Sequence, residues 1–380
     1  MPRAEIAGGG FAGLTVATLL ARAGWDTTVH ERAPAIREIG AGLFITHNGL
    51  VAIERLGLLD ELAPHGAQLT HAVALDRDGR TLTDVELTGC GRTWLFPRER
   101  LIDALHAAAE RAGARIVTSS EIVSATPDAL RLGDGRTVRA DLVIGADGYR
   151  STVRRTLGLQ RTAHDLGTVS LRFLLPSREL CGDDVTRQYW SGPRRVAVTA
   201  CSPTQTYVYF ACPHGDESAW SGPSYLDTWR DSFPVLMPLF DELRTHEPYV
   251  GRYGLVRCRA WSSGNAALLG DAAHALAPTL GQGTNLAMVN ACSLVEFVTK
   301  DRGPIAERLA RWERRTRPVT DASQRWSSLI DWTTRYWPIA IESWRSPAIS
   351  WLSGRGRGRF DIRAGSYVAP VELAAPVAGA

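Results

Sequence analysis

The sequence predicts an α/β protein with three parts. These are a doubly wound parallel sheet assembled from separated stretches of chain, a second and mostly antiparallel sheet, and a helical C-terminal appendage. Three observations predict it. A strand–glycine turn–helix–strand unit opens the chain, the central part changes to short alternating strands, and parallel-sheet texture returns at Ala266–Gly270.

Arg3 to Ala7 reads as a buried strand and Phe11 to Ala23 as an amphipathic helix. Gly24 stops that helix, because a residue without Cβ accepts the left-handed position beyond the C-cap. Asp26 to Glu31 is the second strand, completing a βαβ unit. Arg100 to Ala112 carries Leu101, Leu105 and Ala108 on one helical face, and Val138 to Ala146 reads as one continuous strand covered on both sides. From about Gly167 to Val256, segments such as Val169–Leu175, Arg195–Ala200 and Thr206–Cys212 are β-branched and aromatic, with Pro and Gly between them. A long helix, Gly283 to Lys300, follows the returning strand. The expected division is therefore 1–68, 88–166 and 257–320 for the nucleotide domain and 69–87 with 167–256 for the sheet domain. Residues 321–380 form a Trp-rich helical region. Its Trp326, Trp332, Trp337, Trp344 and Trp351 are expected to pack on the body, with dimerisation through the same surface as the alternative.

Composition narrows the partners. Apolar residues at 44% and charged residues at 22% describe an ordinary globular chain. A net charge of +3 is too small to call for nucleic acid, and the Gly-Arg alternation from Gly354 to Arg359 lacks aromatic interleaving, so it reads as a solvated tail. The six cysteines show no ligand spacing, which predicts buried small hydrophobes and no metal site. No apolar run spans a bilayer and no signal segment opens the chain, so a cytoplasmic monomer or homodimer is expected.

The chemistry begins at Gly8-Gly9-Gly10-Phe11-Ala12-Gly13, a GxGxxG between strand and helix. Gly8 permits the tight turn, Gly10 admits a pyrophosphate to the backbone, and Gly13 allows close helix–strand packing. The helix tip then offers unpaired N–H groups to the phosphates. Glu31, at the end of the second strand, is placed to accept from ribose hydroxyls. A dinucleotide follows, either NAD or FAD.

The second motif decides between them. Gly270-Asp271 ends the returning strand, Pro278 follows, and Gly281-Gln282-Gly283-Thr284-Asn285 opens another helix. Asp271 suits a ribityl or ribose hydroxyl, and the second helix tip suits the N1–C2=O edge of an isoalloxazine, whose reduced form is anionic. A nicotinamide enzyme has no use for this second anion site. Ala146-Asp147-Gly148, followed by Arg150 and Arg154, ends another strand and is either a cofactor contact or an ordinary strand turn. Arg98, ahead of Leu101 and Leu105, becomes a phosphate or ribityl contact only in company with the other motifs.

In this order and spacing the four elements resemble the class A flavoprotein aromatic hydroxylases, the p-hydroxybenzoate hydroxylase-like family. Gly40-Ala41-Gly42-Leu43, His47-Asn48-Gly49-Leu50, Ala287-Met288-Val289-Asn290-Ala291 and Arg317-Pro318 are similar to the branch that oxygenates 2-methyl-3-hydroxypyridine-5-carboxylate. The resemblance implies FAD, reduced by NADH or NADPH, and O2 as cosubstrate. A flavin C4a-hydroperoxide would then hydroxylate a small planar aromatic or N-heteroaromatic ring. By motif match, Gly10, Phe11, Ala12, Gly13, Glu31, Arg32, Arg98, Asp271, Gly281 and Asn285 would contact FAD, with Gly8, Asp147 and Gly283 beside them. Pro278 would sit at the reacting edge of the flavin. Arg195 and Tyr207 align with an arginine–tyrosine pair that holds substrate in the pyridine branch, and Arg172 with a further cavity arginine.

Physically, Arg195 could clamp a carboxylate or phenolate and Tyr207 could hydrogen-bond a ring hydroxyl. His47 and His71 are further substrate candidates, with a structural role as the alternative. Alkene epoxidation and oxygenative ring opening use the same chemistry and stay open, as does a non-catalytic flavin binder. A halogenase is disfavoured because Lys300 is the only lysine.

Overall fold

Strands covered on both faces are mostly apolar, and Ala4, Ile6, Leu142, Val143, Ile144 and Ala266 to Leu268 are all fully buried. They form the centre of a six-stranded sheet in a computed structural model that describes residues 1–37, 40–88 and 91–336. Its order is Ser262–Ser263, Ala266–Leu268, Leu142–Gly145, Arg3–Ala7, Asp26–His30, Arg115–Val117, parallel except for the first edge. The helix Phe11–Arg22 packs between Arg98–Arg111 and Gly283–Lys300. Gly24, at φ +83, ends the first of these as its sequence position predicts.

One expected strand is two. Thr137–Arg139 belongs to a small antiparallel sheet with Ile122–Thr126 and Ala129–Leu132, and only Leu142–Gly145 enters the parallel sheet. Thr137 and Arg139 are exposed, so they could not lie in a strand covered on both sides. The chain crosses between sheets at Asp141, whose carboxylate accepts from Arg3 N at 2.7 Å.

The second sheet has seven strands, in the order Tyr249–Cys258, Gln160–Leu175, Gln205–Pro213, Arg194–Ser202, Val185–Ser191, His71–Asp76, Thr81–Glu86. It starts seven residues before the expected 167 (Gln160) and ends at Cys258. One face is covered by the helices Tyr225–Ser232 and Met237–Leu243, through Trp229, Phe233 and Phe240 against Phe173 and Phe210. A three-stranded sheet of Gly42–Ile45, Thr93–Pro97 and Ala67–Leu69 lies beside the other face, an element the sequence did not announce.

The helix Ile305–Arg335 runs unbroken past residue 320, so the expected boundary there is not a structural break. It fastens onto the body through polar groups. Gln324 Nε2 donates to Val256 O and Ala275 O, and Ser327 Oγ to Ala277 O. Trp312 is fully buried, whereas Trp326 is 38% and Trp332 58% exposed, so Trp332 departs from the expectation that the C-terminal indoles pack on the body. Trp337, Trp344, Trp351, the Gly354–Arg359 run and Cys90 lie outside the described residues. No helix among the described residues is long and apolar enough to cross a membrane.

Candidate active site

The glycine loop is built as a cradle. Gly8 adopts φ +100, and a Cβ on Gly13 would overlap the Gly8 carbonyl oxygen. No side chain caps the helix Phe11–Arg22 and no acid lies in its first turn, so its N–H groups and positive end face outward from Gly10. Glu31 braces the loop: its carboxylate accepts from Gly9 N and Ala33 N, each at 2.9 Å. Behind it, buried Glu5, His30 and Ser120 form a chain of 2.7 and 2.8 Å hydrogen bonds. That chain looks like a hydrolytic triad, but Ser120 is only 8% exposed and its backbone N donates to Glu31 O, so it holds the strand end that presents Glu31.

The second helix, Gly283–Lys300, is also uncapped by a side chain and free of acid in its first turn. Gly281 takes the left-handed φ of +62 just before it. Asn285 fixes this tip. Its Oδ1 accepts from Thr46 N at 3.1 Å, and its Nδ2 donates to Phe44 O at 3.0 Å and Gly281 O at 2.7 Å. The Asn285 side chain is therefore committed to protein. The two tips converge at Gly270, where a Cβ would stand 3.1 Å from Ala12 Cβ and 3.5 Å from Ala287 Cβ.

Around this crevice stand the other expected cofactor residues. Asp147 Oδ2 caps the short helix Thr152–Thr156 through Thr152 N and Val153 N, while its Oδ1 is buried with no hydrogen-bond partner. Arg98 lies with its guanidinium 5.1 Å over the Phe11 ring. Asp271, exposed, opens the turn helix Asp271–His274, and Arg32 is exposed beside Glu31. The cradle shaped by Gly8 and Gly13, the orphaned Asp147 oxygen and two uncapped helix tips fit a dinucleotide with an anionic ring at its far end.

The second sheet supplies the opposing wall. Paired residues share a face: Arg172 pairs Tyr209, Leu174 pairs Tyr207, Ala197 pairs Tyr209 and Thr199 pairs Tyr207. Counting by twos, Arg172, Arg195, Tyr207 and Tyr209 project on the side opposite the Phe173–Phe210 core. Tyr207 lies against the backbone at Gly42, where a Cβ would come within 2.9 Å of its ring. Phe44, two residues along that strand, stands 3.3 Å from the Cβ position of Gly281. Arg98 and Arg172 meet over Gly40, at 3.1 and 3.2 Å from its Cβ position. The flavin-side tip and the tyrosine face thus share one wall.

Burial drives the Tyr207 and Tyr209 hydroxyls far above the ordinary tyrosine range, with Tyr253 adding to both. Both are therefore hydrogen-bond donors at any working pH. Tyr253 packs against the cluster of Leu166, Leu255 and Ala277, the last of them next to Pro278 in the chain. His47 opens the helix His47–Arg55 with Nδ1 buried and unpartnered, under Gly91. His71 is a correction: it pairs Val185, whose neighbours Arg187 and Tyr189 pair Val198 and Val196 of the helix-covered core, so its side chain projects away from Tyr207. Arg195 is not an open clamp either. It is 5% exposed, and its Nη2 lies 3.5 Å from Asp331 Oδ1, on the C-terminal helix.

The sequence reading missed Tyr209, Tyr253 and Asp331. Tyr209 was accessible, two positions from Tyr207 on a strand. Tyr253 and Asp331 come from distant elements, and nothing local announces them. Among the described residues no cluster could hold a metal ion, and five cysteines are buried and unbridged.

A protein-family profile described as "FAD binding domain" matches residues 3–322. The chain belongs to this family. Within it the chain is similar to the 2-heptyl-3-hydroxy-4(1H)-quinolone synthase of Mycobacteroides abscessus, at 38% identity over 330 residues, covering 84% of this chain and 88% of that protein. The aurachin C monooxygenase/isomerase of Stigmatella aurantiaca is 30% identical over 325 residues, covering 81% and 83%. Among solved structures, a tetrameric form of 2-methyl-3-hydroxypyridine-5-carboxylic acid oxygenase superposes with a TM-score of 0.82 at 32% identity, covering 90% of this chain and 95% of that one. This FAD binding domain protein is an FAD-dependent monooxygenase of the aromatic hydroxylase type.

Proposed function

We propose that this monooxygenase takes its electrons from NADH or NADPH without a separate reductase, uses O2, and hydroxylates a small planar N-heteroaromatic ring of the 4-hydroxyquinoline (4-quinolone) type. The observation that carries this reading is the shared wall: Gly42–Ile45 presents its backbone to Tyr207 and Phe44 to Gly281, so a flat ring between them meets a phenol donor and the flavin-side tip together. The quinolone product named for one relative, the synthase of Mycobacteroides abscessus, agrees with it.

The parallel sheet with its helices is then the FAD unit, and the seven-stranded sheet is the substrate unit. Gly8 to Gly13, Glu31, Arg98, Asp147, Asp271 and the tip at Gly281 to Asn285 would hold FAD, which supplies the redox and oxygen chemistry. Tyr207, kept protonated, donates to the ring oxygen of the substrate and orients the ring. Leu69, Leu87, Leu95 and Phe44 make an apolar wall that keeps water from the reacting edge near Pro278. Arg172, with Nε buried and unpartnered, balances negative charge that develops on the ring oxygen.

The test is NAD(P)H oxidation by the purified holoprotein with and without 4-hydroxyquinoline. The expected result is accelerated oxidation coupled to a product heavier by one oxygen. Unaltered oxidation with this ligand, but coupled turnover of a simple phenol, would replace the substrate class and keep the reaction.

A further inference from the structure

The long C-terminal helix meets the second sheet at a charged pair, Asp331 against Arg195. Asp331 is 1% exposed, yet it sits between two arginines: Arg335 Nη2 donates to its Oδ2 at 2.9 Å, and Arg195 Nη2 approaches its Oδ1 at 3.5 Å. The first contact is a well-formed i, i+4 bond within the helix. The second is too long for a hydrogen bond, and both Asp331 Oδ1 and Arg195 Nε are buried with no hydrogen-bond partner.

We propose that Asp331 is a specificity residue that works through Arg195, turning a carboxylate clamp into a site that refuses aromatic carboxylates. A buried guanidinium on a substrate-facing sheet would be the natural fork for a carboxylate. Here a buried carboxylate already stands at its Nη2 edge. A ligand carboxylate brought to that fork would meet Asp331 at close range in a poorly solvated setting, where like charges repel strongly. A neutral ring that only accepts a hydrogen bond meets no such repulsion. The positive charge of Arg335 does not offset this, since it holds the far oxygen of Asp331 and lies at the helix end, with its guanidinium over the Tyr336 ring. The inference rests on the proposed placement of substrate against the Arg195–Tyr207 face.

Two ligands separate the possibilities: 4-hydroxyquinoline and its 2-carboxylate, titrated into the holoprotein and followed by flavin absorbance. The wild type is expected to bind the neutral ring and to bind the carboxylate at least about tenfold more weakly. Asp331→Asn should tighten the carboxylate by about tenfold or more and leave the neutral ring within about threefold, so the ratio of the two affinities moves. A merely structural role for Asp331 would weaken both together. Arg335→Gln, which leaves Asp331 with Arg195 as its one partner among the contacts described, should push the ratio the other way and keeps the test available if the Asn variant does not fold. An unchanged ratio in the folded variants overturns the proposal. If neither ligand perturbs wild-type flavin but Asp331→Asn gains carboxylate binding, Asp331 keeps its role and the quinoline reading fails.

Discussion

Gly13 and Gly8 stand so close that a single methyl group on Gly13 would overlap the Gly8 carbonyl oxygen. The obstacle is backbone held by the Gly8 N to His30 O bond of 2.8 Å, so it cannot swing aside as a side chain would. Gly13→Ala is expected to cost about 3 kcal/mol, the upper end for overpacking, and to yield protein without bound flavin. Flavin absorbance per protein and the thermal midpoint measure both effects. A yellow variant of wild-type stability would show that the cradle is not tight.

Glu31 holds Gly9 N and Ala33 N with one carboxylate, and the proposed FAD contact would be its second task. Glu31→Ala should weaken FAD binding by roughly ten- to a hundredfold, the equivalent of one lost charge-assisted bond. Glu31→Gln, with one acceptor oxygen left, should fall between. Quenching of FAD fluorescence on titration into apoprotein gives the constants. Equal affinity in all three proteins would remove Glu31 from the ribose.

Much of this was legible because it is local. The GxGxxG, Glu31 and the Gly281 to Asn285 tip each need particular residue types at adjacent positions, and the structure brings the two tips together at Gly270. Register was legible in part: Arg195, Tyr207 and Arg172 do share a face, whereas His71 lies on the other because a parallel pairing with Val185 set its phase. What sequence could not supply was the long-range closure. The approach of Asp331 to Arg195 and of Tyr253 to Tyr209 depends on how a 31-residue helix and a distant strand dock, which no spacing encodes.

Tyr207 should matter as a donor and not as a base. Its hydroxyl stays protonated, because burial raises it far beyond the usual value of 10. Tyr207→Phe is expected to keep FAD and stability while lowering product formed per NAD(P)H by about tenfold, with hydrogen peroxide making up the difference. The sign of the pH effect follows from the raised value: the phenol's contribution to stability is complete below pH 10 and is lost only as pH rises above it. A coupling profile that changes near neutral pH in wild type but not in Tyr207→Phe would mean that Tyr207 titrates and would sink the donor role.

His274 makes the opposite prediction in acid. It is 2% exposed, its Nε2 lies 2.9 Å from Asn290 Nδ2, and burial lowers its pKa from 6.5 to about 4. As pH falls below 6.5 the unfolded chain takes a proton that the folded protein refuses until about pH 4. Stability present above pH 6.5 is therefore lost across that window, on the order of 3 kcal/mol in all. His274→Gln, which keeps an acceptor for Asn290, should flatten the fall in denaturant midpoint between pH 6.5 and 4. Parallel curves for the two proteins would assign acid sensitivity to other groups.

Asn285 tests whether the second helix tip must be held still for the chemistry. Its amide satisfies three backbone groups from two segments, Thr46 N, Phe44 O and Gly281 O, and it is fully buried. Asn285→Ala leaves those groups without partners and should cost about 2–4 kcal/mol. Asn285→Asp should be worse, because a carboxylate would face the carbonyl oxygens of Phe44 and Gly281 that the amide now donates to. The loss should not be confined to stability. Since Phe44 also stands against the Gly281 position, a loosened tip shifts the wall on which the substrate ring would rest, and the alanine variant that still binds FAD should oxidise NAD(P)H with poorer coupling. An alanine variant that is less stable but fully coupled would make Asn285 a fold residue alone, and would mean that the tip keeps its position through Gly281 and Gln282.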